Sequence, residues 1–352
     1  MTRTVFAGGS VFDPASGSFQ AADVAVSDGR VVDVGGDLDG DDGIDCAGRW
    51  VLPGLIDAHV HLMLPHVDFG LLAQTPFSYR FFQAIGSMAA TLATGVTTVR
   101  DAGGTDLGVK RAVEAGLVAG PRMQISLTML SQTGGHGDGW LPSGAHLDLL
   151  PTYPGMPGSI VDGPFEMRRK VREVLRAGAD VIKVATSGGV LSPTDDPTHA
   201  HFAMDELEVL VAEAASQGAF VMAHAQATEG IKNAVAAGIR SIEHGIYLDD
   251  EAIDRMREAG TWLVPTLVAP LGVVRAADAG AVGPQGPGGG GGPCRLVPAG
   301  GGGRRPGGDG HRLGGDAPRP QPRRVAAHGR RGDVAGRRAP GGAHPCRGTH
   351  GL

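Results

Sequence analysis

Two histidines separated by a single residue give the clearest chemical signal in the chain. His59 and His61 lie in the segment VLPGLIDAHVHL, whose apolar residues are typical of a buried strand. Side chains two positions apart on a strand point to the same face, about 6 to 7 Å apart, so both imidazoles can approach one ion. The alternative is a pair of hydrogen-bonded core histidines. We favour a metal-ligating pair, because imidazole is a common ligand for zinc and similar ions.

Two further histidines stand late in apolar segments of their own. His224 occurs in FVMAHA and His244 in SIEHG. A single histidine on an apolar strand is usually a core residue with a hydrogen-bond partner. Four histidines near the carboxyl ends of three strands are less easily explained in that way, because barrel enzymes assemble their sites at those ends. We therefore predict that the four imidazoles share one site.

A lysine lies in the apolar segment DVIKVATSGG. Burial of the Lys183 ammonium costs desolvation energy, so one interpretation is that its side chain reaches solvent or pairs with a carboxylate. Near metal ions, however, an ammonium would be repelled. Carboxylation by CO2 would convert the amine into an anionic carbamate, whose two oxygens can bridge two cations. Both interpretations stay open at the level of the residues.

The elements that must position these residues alternate between apolar strands and amphipathic helices from residue 53 onward. This alternation is the signature of βαβ units with a parallel sheet. Glycines that follow Ala, at positions 178, 238 and 260, predict helix ends. The predicted strands are 54–61, 95–102, 122–130, 180–185, 220–225, 241–247 and 262–267, and the predicted helices include 165–176, 204–216, 229–237 and 249–258.

Residues 1–52 form a different, smaller unit. Short strands are predicted at 4–7, 11–12, 23–27 and 30–34, with the dipeptide Asp28-Gly29 turning a hairpin between the last two. Both residues of this dipeptide tolerate positive φ. The unit is therefore predicted to be a small β structure that precedes the α/β part.

The end of the chain has a different composition. Residues 281–352 number 72, of which 53 are Gly, Arg, Pro or Ala, and they include no Lys, Glu, Ile, Phe, Tyr, Trp or Met. Such a segment cannot build a packed core, so we predict that residues 276–352 are an aberrant, disordered tail. One explanation is translation of a GC-rich gene out of frame, since these four residues have GC-rich codons. The other is a genuine basic arm.

Charge and cysteine content narrow the class of protein. The tail carries 12 Arg against 3 Asp, whereas the other 280 residues carry 19 Lys and Arg against 34 Asp and Glu. The acidic body argues against binding of nucleic acid or an anionic membrane. Three cysteines, far apart, form no disulfide framework, and the sequence shows no signal peptide or membrane-spanning segment. We therefore expect a cytoplasmic protein.

Taken in order, the motifs resemble those of the amidohydrolase superfamily. They are VLPGLIDAHVHL, GVTTVRDAGG, TGGHGD, DVIKVATSGG, VMAHA and IEHGIYLDD. Within the superfamily they are similar to metal-dependent dipeptidases and carboxypeptidases of Xaa-Pro or Xaa-Arg type, close to imidazolonepropionases. The resemblance covers about residues 3–275. It implies an α/β fold with a (β/α)8 TIM-type barrel over residues 53–275, a small β-sandwich part in residues 1–52, and a site for two divalent metal ions, usually zinc.

The resemblance also implies roles for individual residues. His59 and His61 match the ligands of the first ion, and His224 and His244 those of the second, with Lys183 as the carboxylated bridge. Two further positions match substrate-binding residues. His136, in TGGHGD, corresponds to a residue that contacts the substrate carbonyl, and Tyr247 to one that binds its terminal carboxylate. Without the resemblance, these two would be interpreted as a loop histidine and an ordinary exposed aromatic residue.

One element of the family pattern is missing. The family has an aspartate after strand eight that transfers a proton from the attacking water to the leaving amine. No Gly-Thr-Asp motif follows the seventh predicted strand here, and Asp309 and Asp316 stand in the unusual tail. The barrel is therefore predicted to be incomplete, with its eighth strand missing or scrambled, and the catalytic residue stays unknown.

These observations lead to an expected function with two alternatives. A hydroxide that bridges two cations can form near neutral pH and attack an amide carbonyl, so we expect hydrolysis of a dipeptide or N-acyl amino acid. The first alternative is hydrolysis of a cyclic amide such as an imidazolone. The second is an inactive chain, truncated or out of frame. The expected partners are a small-molecule or dipeptide substrate and further copies of the chain in a homo-oligomer.

Overall fold

The computed structural model describes residues 2–190, 192 and 195–269. Its N-terminal part is a five-stranded sheet. The hairpin at Asp28-Gly29 is present, with φ of 51° and 71° at its two central residues. The strands are β1 (Arg3–Asp13), β2 (Ser18–Ser27), β3 (Arg30–Gly35), β4 (Asp42–Asp45) and β5 (Trp50–Val51). In this sheet β1 pairs antiparallel with β2 and parallel with β4 and β5, while β2 pairs antiparallel with β3.

Two details of this sheet differ from the sequence prediction. The chain from Arg3 to Asp13 is one strand, because the register with β2 shifts between Phe6 and Gly9 and a bulge carries the pairing past the glycines. The strands β4 and β5 were not predicted, since four exposed residues and two residues give no alternating pattern. The described residues form a single sheet here, so the second layer of the sandwich stays a prediction.

The remaining strands are all parallel and form two sheets. One sheet has three strands and the other has five. The predicted strand 122–130 is split in two, because Leu127 has a φ of +63° and interrupts the extended backbone. These strands are β6 (Leu55–Val60), β7 (Val96–Asp101), β8 (Arg122–Ile125), β9 (Met129–Leu130), β10 (Ile182–Ala185), β11 (Val221–Ala225), β12 (Ser241–His244) and β13 (Trp262–Val264). The three-stranded sheet has the order β6-β7-β8 and the five-stranded sheet the order β13-β12-β11-β10-β9.

Helices alternate with the parallel strands. The four predicted helices are present within two residues of their predicted starts and one residue of their predicted ends, and Gly178, Gly238 and Gly260 have positive φ where helices end. Three helices earlier in the chain were not singled out from the sequence. The helices are α1 (Phe69–Gln74), α2 (Tyr79–Ala93), α3 (Leu107–Glu114), α4 (Gly163–Arg176), α5 (Met204–Ser216), α6 (Thr228–Ala236) and α7 (Asp250–Ala259).

The outer edges of the two parallel sheets carry exposed apolar side chains. On β6, Leu55 and Ile56 are 53% and 73% exposed, and on β13, Trp262 is 69% exposed. Within the described ranges, neither β6 nor β13 has a second strand partner. The position predicted for an eighth strand lies outside the described residues, as do Asp309 and Asp316. In the described part of the chain, no helix is both long and apolar enough to cross a membrane.

Candidate metal centre

The structure brings together the five residues predicted to hold metal. His59 lies on β6 and His61 directly after it, Lys183 on β10, His224 on β11, and His244 at the end of β12. Ring centres are 5.3 Å apart for His59 and His61, 5.0 Å for His59 and His244, and 4.7 Å for His224 and His244. Parallel strands place these side chains at the same end of the sheets.

Each of the four imidazoles has one nitrogen engaged in a hydrogen bond. Such partners fix the tautomer and direct the other nitrogen, as is common for metal-ligating histidines. The arrangement leaves Nε2 of three rings, and Nδ1 of His224, for another ligand. The pairs are His59 Nδ1 with Glu243 Oε2 (2.6 Å), His61 Nδ1 with the Gly103 carbonyl (2.8 Å), His224 Nε2 with the Gly188 carbonyl (3.1 Å) and His244 Nδ1 with Thr266 Oγ1 (2.7 Å).

Burial keeps these imidazoles neutral. It lowers the pKa of His59 and His224 well below the usual value, and it also lowers the pKa of His61 and His244. The nearby Lys183 ammonium has a smaller effect in the same direction. A neutral imidazole has a free lone pair, which is the form that binds a cation.

Lys183 is the largest fully buried side chain of the described residues, with 1% of its surface exposed. Its Nζ atom has no hydrogen-bond partner among the described residues. Burial lowers the pKa of Lys183 to about 8, although the Glu243 carboxylate opposes this effect. The sequence interpretation in which this lysine reaches solvent is therefore wrong, and no carboxylate forms an ion pair with it in the described structure.

The donor set can be compared with the requirements of an ion. Two imidazoles on one tetrahedral ion, with nitrogens 2.0 to 2.1 Å away, have ring centres about 5 Å apart. The separations between His59 and His61 and between His224 and His244 are close to this value. Among the described residues, no three His, Cys, Asp or Glu side chains already have the spacing of a formed ion site. The residue types and free nitrogens fit two ions, and ion binding itself is a proposal.

His136 and Tyr247, the predicted substrate residues, lie on segments that adjoin this cluster. His136 is in the segment between β9 and α4, and its ring stacks on that of His224 with centres 4.2 Å apart. Its Nδ1 is 3.5 Å from Asp195 Oδ2. Tyr247 follows His244 by three residues, before α7, and is 41% exposed. His136 therefore contacts the histidine cluster directly, and Tyr247 lies on the segment that leaves it.

A family model described as Amidohydrolase family matches residues 50–279, more than half of the chain. The chain belongs to the amidohydrolase family. This finding confirms the resemblance inferred from the strand motifs, and the matched segment contains every predicted site residue. It is also consistent with the observed α/β organisation with parallel strands.

Individual relatives of this amidohydrolase family member are hydrolases by name. The ochratoxinase of Aspergillus niger is 40% identical over 228 residues, which cover 61% of this chain and 47% of that enzyme. The chain thus spans about half the length of this curated relative. A solved prolidase in complex with N-methylphosphonate-L-proline is 38% identical with a TM-score of 0.74, covering 81% of this chain and 71% of that one. A Xaa-Pro dipeptidase with bound methionine is 31% identical with a TM-score of 0.71, covering 80% and 71%.

The sequence analysis of this family member missed a buried charged network beneath the histidines. Glu243 is 0% exposed and accepts hydrogen bonds from Arg100 Nη2 (2.8 Å) and from Ser241 Oγ (2.7 Å), besides its contact with His59. The available signal was a glutamate and an arginine inside apolar strands, where an unpaired charge is costly. Their partnership spans 143 residues, so only the folded chain shows it.

A second missed group lies beside His136. Asp195 Oδ2 accepts a hydrogen bond from the Gly189 backbone N–H at 3.0 Å. His201 lies in a loop but is buried, with 5% of its surface exposed. Its companion His199 lies in the same loop. Of these side chains, Asp195 lies next to His136, at 3.5 Å from its Nδ1.

Proposed function

We propose that this protein is a metal-dependent hydrolase that removes the C-terminal residue from a dipeptide or an N-acyl amino acid. The observation that carries this proposal is the convergence of four neutral imidazoles around a buried lysine that has no partner among the described residues. The prolidase and dipeptidase relatives support a peptide substrate, and the ochratoxinase supports amide hydrolysis more generally.

The chain's own residues would divide the binding of two divalent cations between them. His59 and His61 would hold the first cation, and His224 and His244 the second. The neutral amine of Lys183 would add its lone pair to the carbon of CO2 and release one proton, which leaves a carbamate between the two pairs. When bound, divalent cations, for which zinc is our proposal, act as Lewis acids that activate water and polarise a carbonyl.

The substrate would be oriented by residues at the edge of this centre. His136, fixed by its stacking on His224, would donate a hydrogen bond to the scissile carbonyl. Tyr247 would bind the terminal carboxylate from the segment that follows β12. We also infer that the two parallel sheets belong to one (β/α)8-type barrel, because the five ligand positions from both sheets meet at one end.

A second candidate is a chain that binds metal without turnover. It is favoured by the sequence, in which no Gly-Thr-Asp motif follows β13, where the family pattern places a strand that ends in the proton-transferring aspartate. Loss of such a group reduces rates by typically 10² to 10⁴. The cyclic-amide alternative has no structural observation in its favour.

The test is an assay of the purified full chain after loading with Zn2+. We expect release of amino acid from Xaa-Pro dipeptides and N-acyl amino acids, and much slower cleavage of the corresponding C-terminal amides. Metal analysis on the same sample separates the two candidates, because bound metal without turnover supports the second. A chain that binds no metal would contradict both.

A further inference from the structure

We propose that Glu243, held by Arg100, is a positioning residue that sets the orientation and tautomer of His59 for the first metal ion. The proposal rests on the proposed function, because it assigns a role within the same centre. It differs from that function in naming a residue that touches neither substrate nor metal and acts only through His59.

Both carboxylate oxygens of Glu243 form short hydrogen-bond contacts. Its Oε2 lies 2.6 Å from His59 Nδ1, and its Oε1 accepts hydrogen bonds from Arg100 and Ser241. Arg100 also donates to the Ala58 carbonyl at 2.8 Å and to Ser241 Oγ at 3.1 Å. The guanidinium therefore binds both the carboxylate and the backbone immediately before His59.

The chemistry of the carboxylate determines which nitrogen of His59 carries the proton. An ionised carboxylate can only accept, so Nδ1 of a neutral His59 must be the donor and Nε2 must keep its lone pair. Charge-assisted hydrogen bonds of this kind also raise the basicity of a ligating imidazole. Among the four site histidines, His59 is the one whose ring bonds to a carboxylate; the others bond to carbonyls or a hydroxyl.

The location of His59 makes this contact a link between the two parallel sheets. It lies on β6, which in the described structure pairs only with β7 and leaves its other edge uncovered. Glu243 lies on β12 in the other parallel sheet, and Arg100 lies on β7. The Glu243 contact is thus a direct polar link from the second sheet to the histidine on the open-edged strand.

The competing explanation is that Glu243 only neutralises a buried Arg100. A double substitution distinguishes the two. If neutralisation is the role, Arg100→Met combined with Glu243→Gln should restore normal metal binding, because no unpaired charge remains. If Glu243 acts on His59, the double variant should bind metal as weakly as Glu243→Gln alone.

The experiment is equilibrium dialysis and visible absorption of the full chain titrated with Co2+. We expect Glu243→Gln to weaken one of the two Co2+ sites by about 10- to 100-fold, the range for such outer partners, and to leave the other site unchanged. Asp180→Asn is the matched control. It removes another carboxylate that binds a cation, since Asp180 accepts from Lys110 Nζ at 2.6 Å and from the Ile125 backbone N–H, and in the described structure it contacts none of the four histidines.

Each outcome has a defined meaning. This inference alone would be overturned if the wild-type chain binds Co2+ and Glu243→Gln binds it with the same affinity. It would also be overturned if the double variant binds Co2+ as tightly as the wild-type chain. A wild-type chain that binds no Co2+ would overturn the inference and the proposed function together. Circular dichroism of every variant shows whether weakened binding occurs in a folded chain, and weakened binding equal to that of Asp180→Asn would also count against the proposal.

Discussion

At the residue scale, the clustering of the candidate site residues could be predicted wherever a chemically unusual residue interrupted an apolar strand. His59, His61, Lys183, His224 and His244 were all recognisable in this way. Their hydrogen-bond partners were not, because the contact between His59 and Glu243 joins residues that are 184 positions apart. Such pairings depend on how strands from two sheets are arranged, which the periodicity of a single strand does not specify.

The paired histidines on β6 lead to the first prediction. The double variant His59→Ala/His61→Ala should lose most of the metal bound by the wild-type chain, because it removes two of four imidazoles. Elemental analysis after loading with Zn2+ measures the content. His146→Ala is the control, since that histidine lies in a loop and its side chain is half exposed. Unchanged metal content in the double variant would show that the histidine pair is not a ligand set.

The buried lysine leads to the second prediction. A carbamate on Lys183 should appear in a 13C NMR spectrum when the chain is supplied with 13C-labelled bicarbonate and Zn2+, and it should be absent from Lys183→Ala. Adding a short carboxylic acid such as propionate should restore part of the metal binding of Lys183→Ala. Lys183→Arg cannot be carboxylated in this way and its guanidinium repels cations, so full metal content in that variant would contradict the carbamate.

The tyrosine after β12 gives a third prediction at this scale. If Tyr247 binds the substrate carboxylate, Tyr247→Phe should reduce kcat/KM by an amount equivalent to about 1.5 to 3 kcal/mol, typical of a hydrogen bond to a charged group. The reduction should be seen on dipeptides and not on their C-terminal amides. Equal losses on both substrates would instead indicate a general structural role.

At the scale of elements, sequence reasoning worked best for the helices α4 to α7, each of which has an acidic residue in its first turn. The helix α5 begins and ends where it was predicted. In contrast, α2 has no acidic residue in its first turn and no basic residue in its last turn, so it lacks the charged signals that often mark helix ends. The division between β8 and β9 was also unpredictable, because Leu127 is not a residue that favours positive φ.

The loop after β10 makes a fourth prediction at the element scale. A methyl group added at Gly189 would overlap the His136 ring, although the backbone there does not require glycine. Gly189→Ala should therefore displace His136 and reduce kcat/KM while metal content stays unchanged. The control is Gly86→Ala, because a Cβ atom at Gly86 meets nothing within 4 Å. Full activity in Gly189→Ala would show that the position of His136 is unimportant.

At the scale of the whole molecule, the strand and helix order from residue 53 was predictable, but the closure of the sheets was not. Closure depends on what covers β6 and β13, and the segment after residue 269 lies outside the described structure. The composition of that segment predicts no buried strand, since it is dominated by Gly, Arg, Pro and Ala.

Strand edges that have no partner among the described residues, and that carry exposed apolar side chains, lead to the last prediction, which concerns self-association. An unpaired strand edge is a template for pairing with another chain, and a charged side chain on such an edge opposes that pairing. Ile56→Lys should therefore reduce the aggregate fraction measured by light scattering at elevated protein concentration. Ile56 is 73% exposed on β6, whereas Phe165, the control position, is 85% exposed on the helix α4. Phe165→Lys adds the same charge and removes a similar apolar surface without touching a strand edge. If both variants reduce aggregation equally, general surface hydrophobicity is responsible and the edge of β6 is not the site of association.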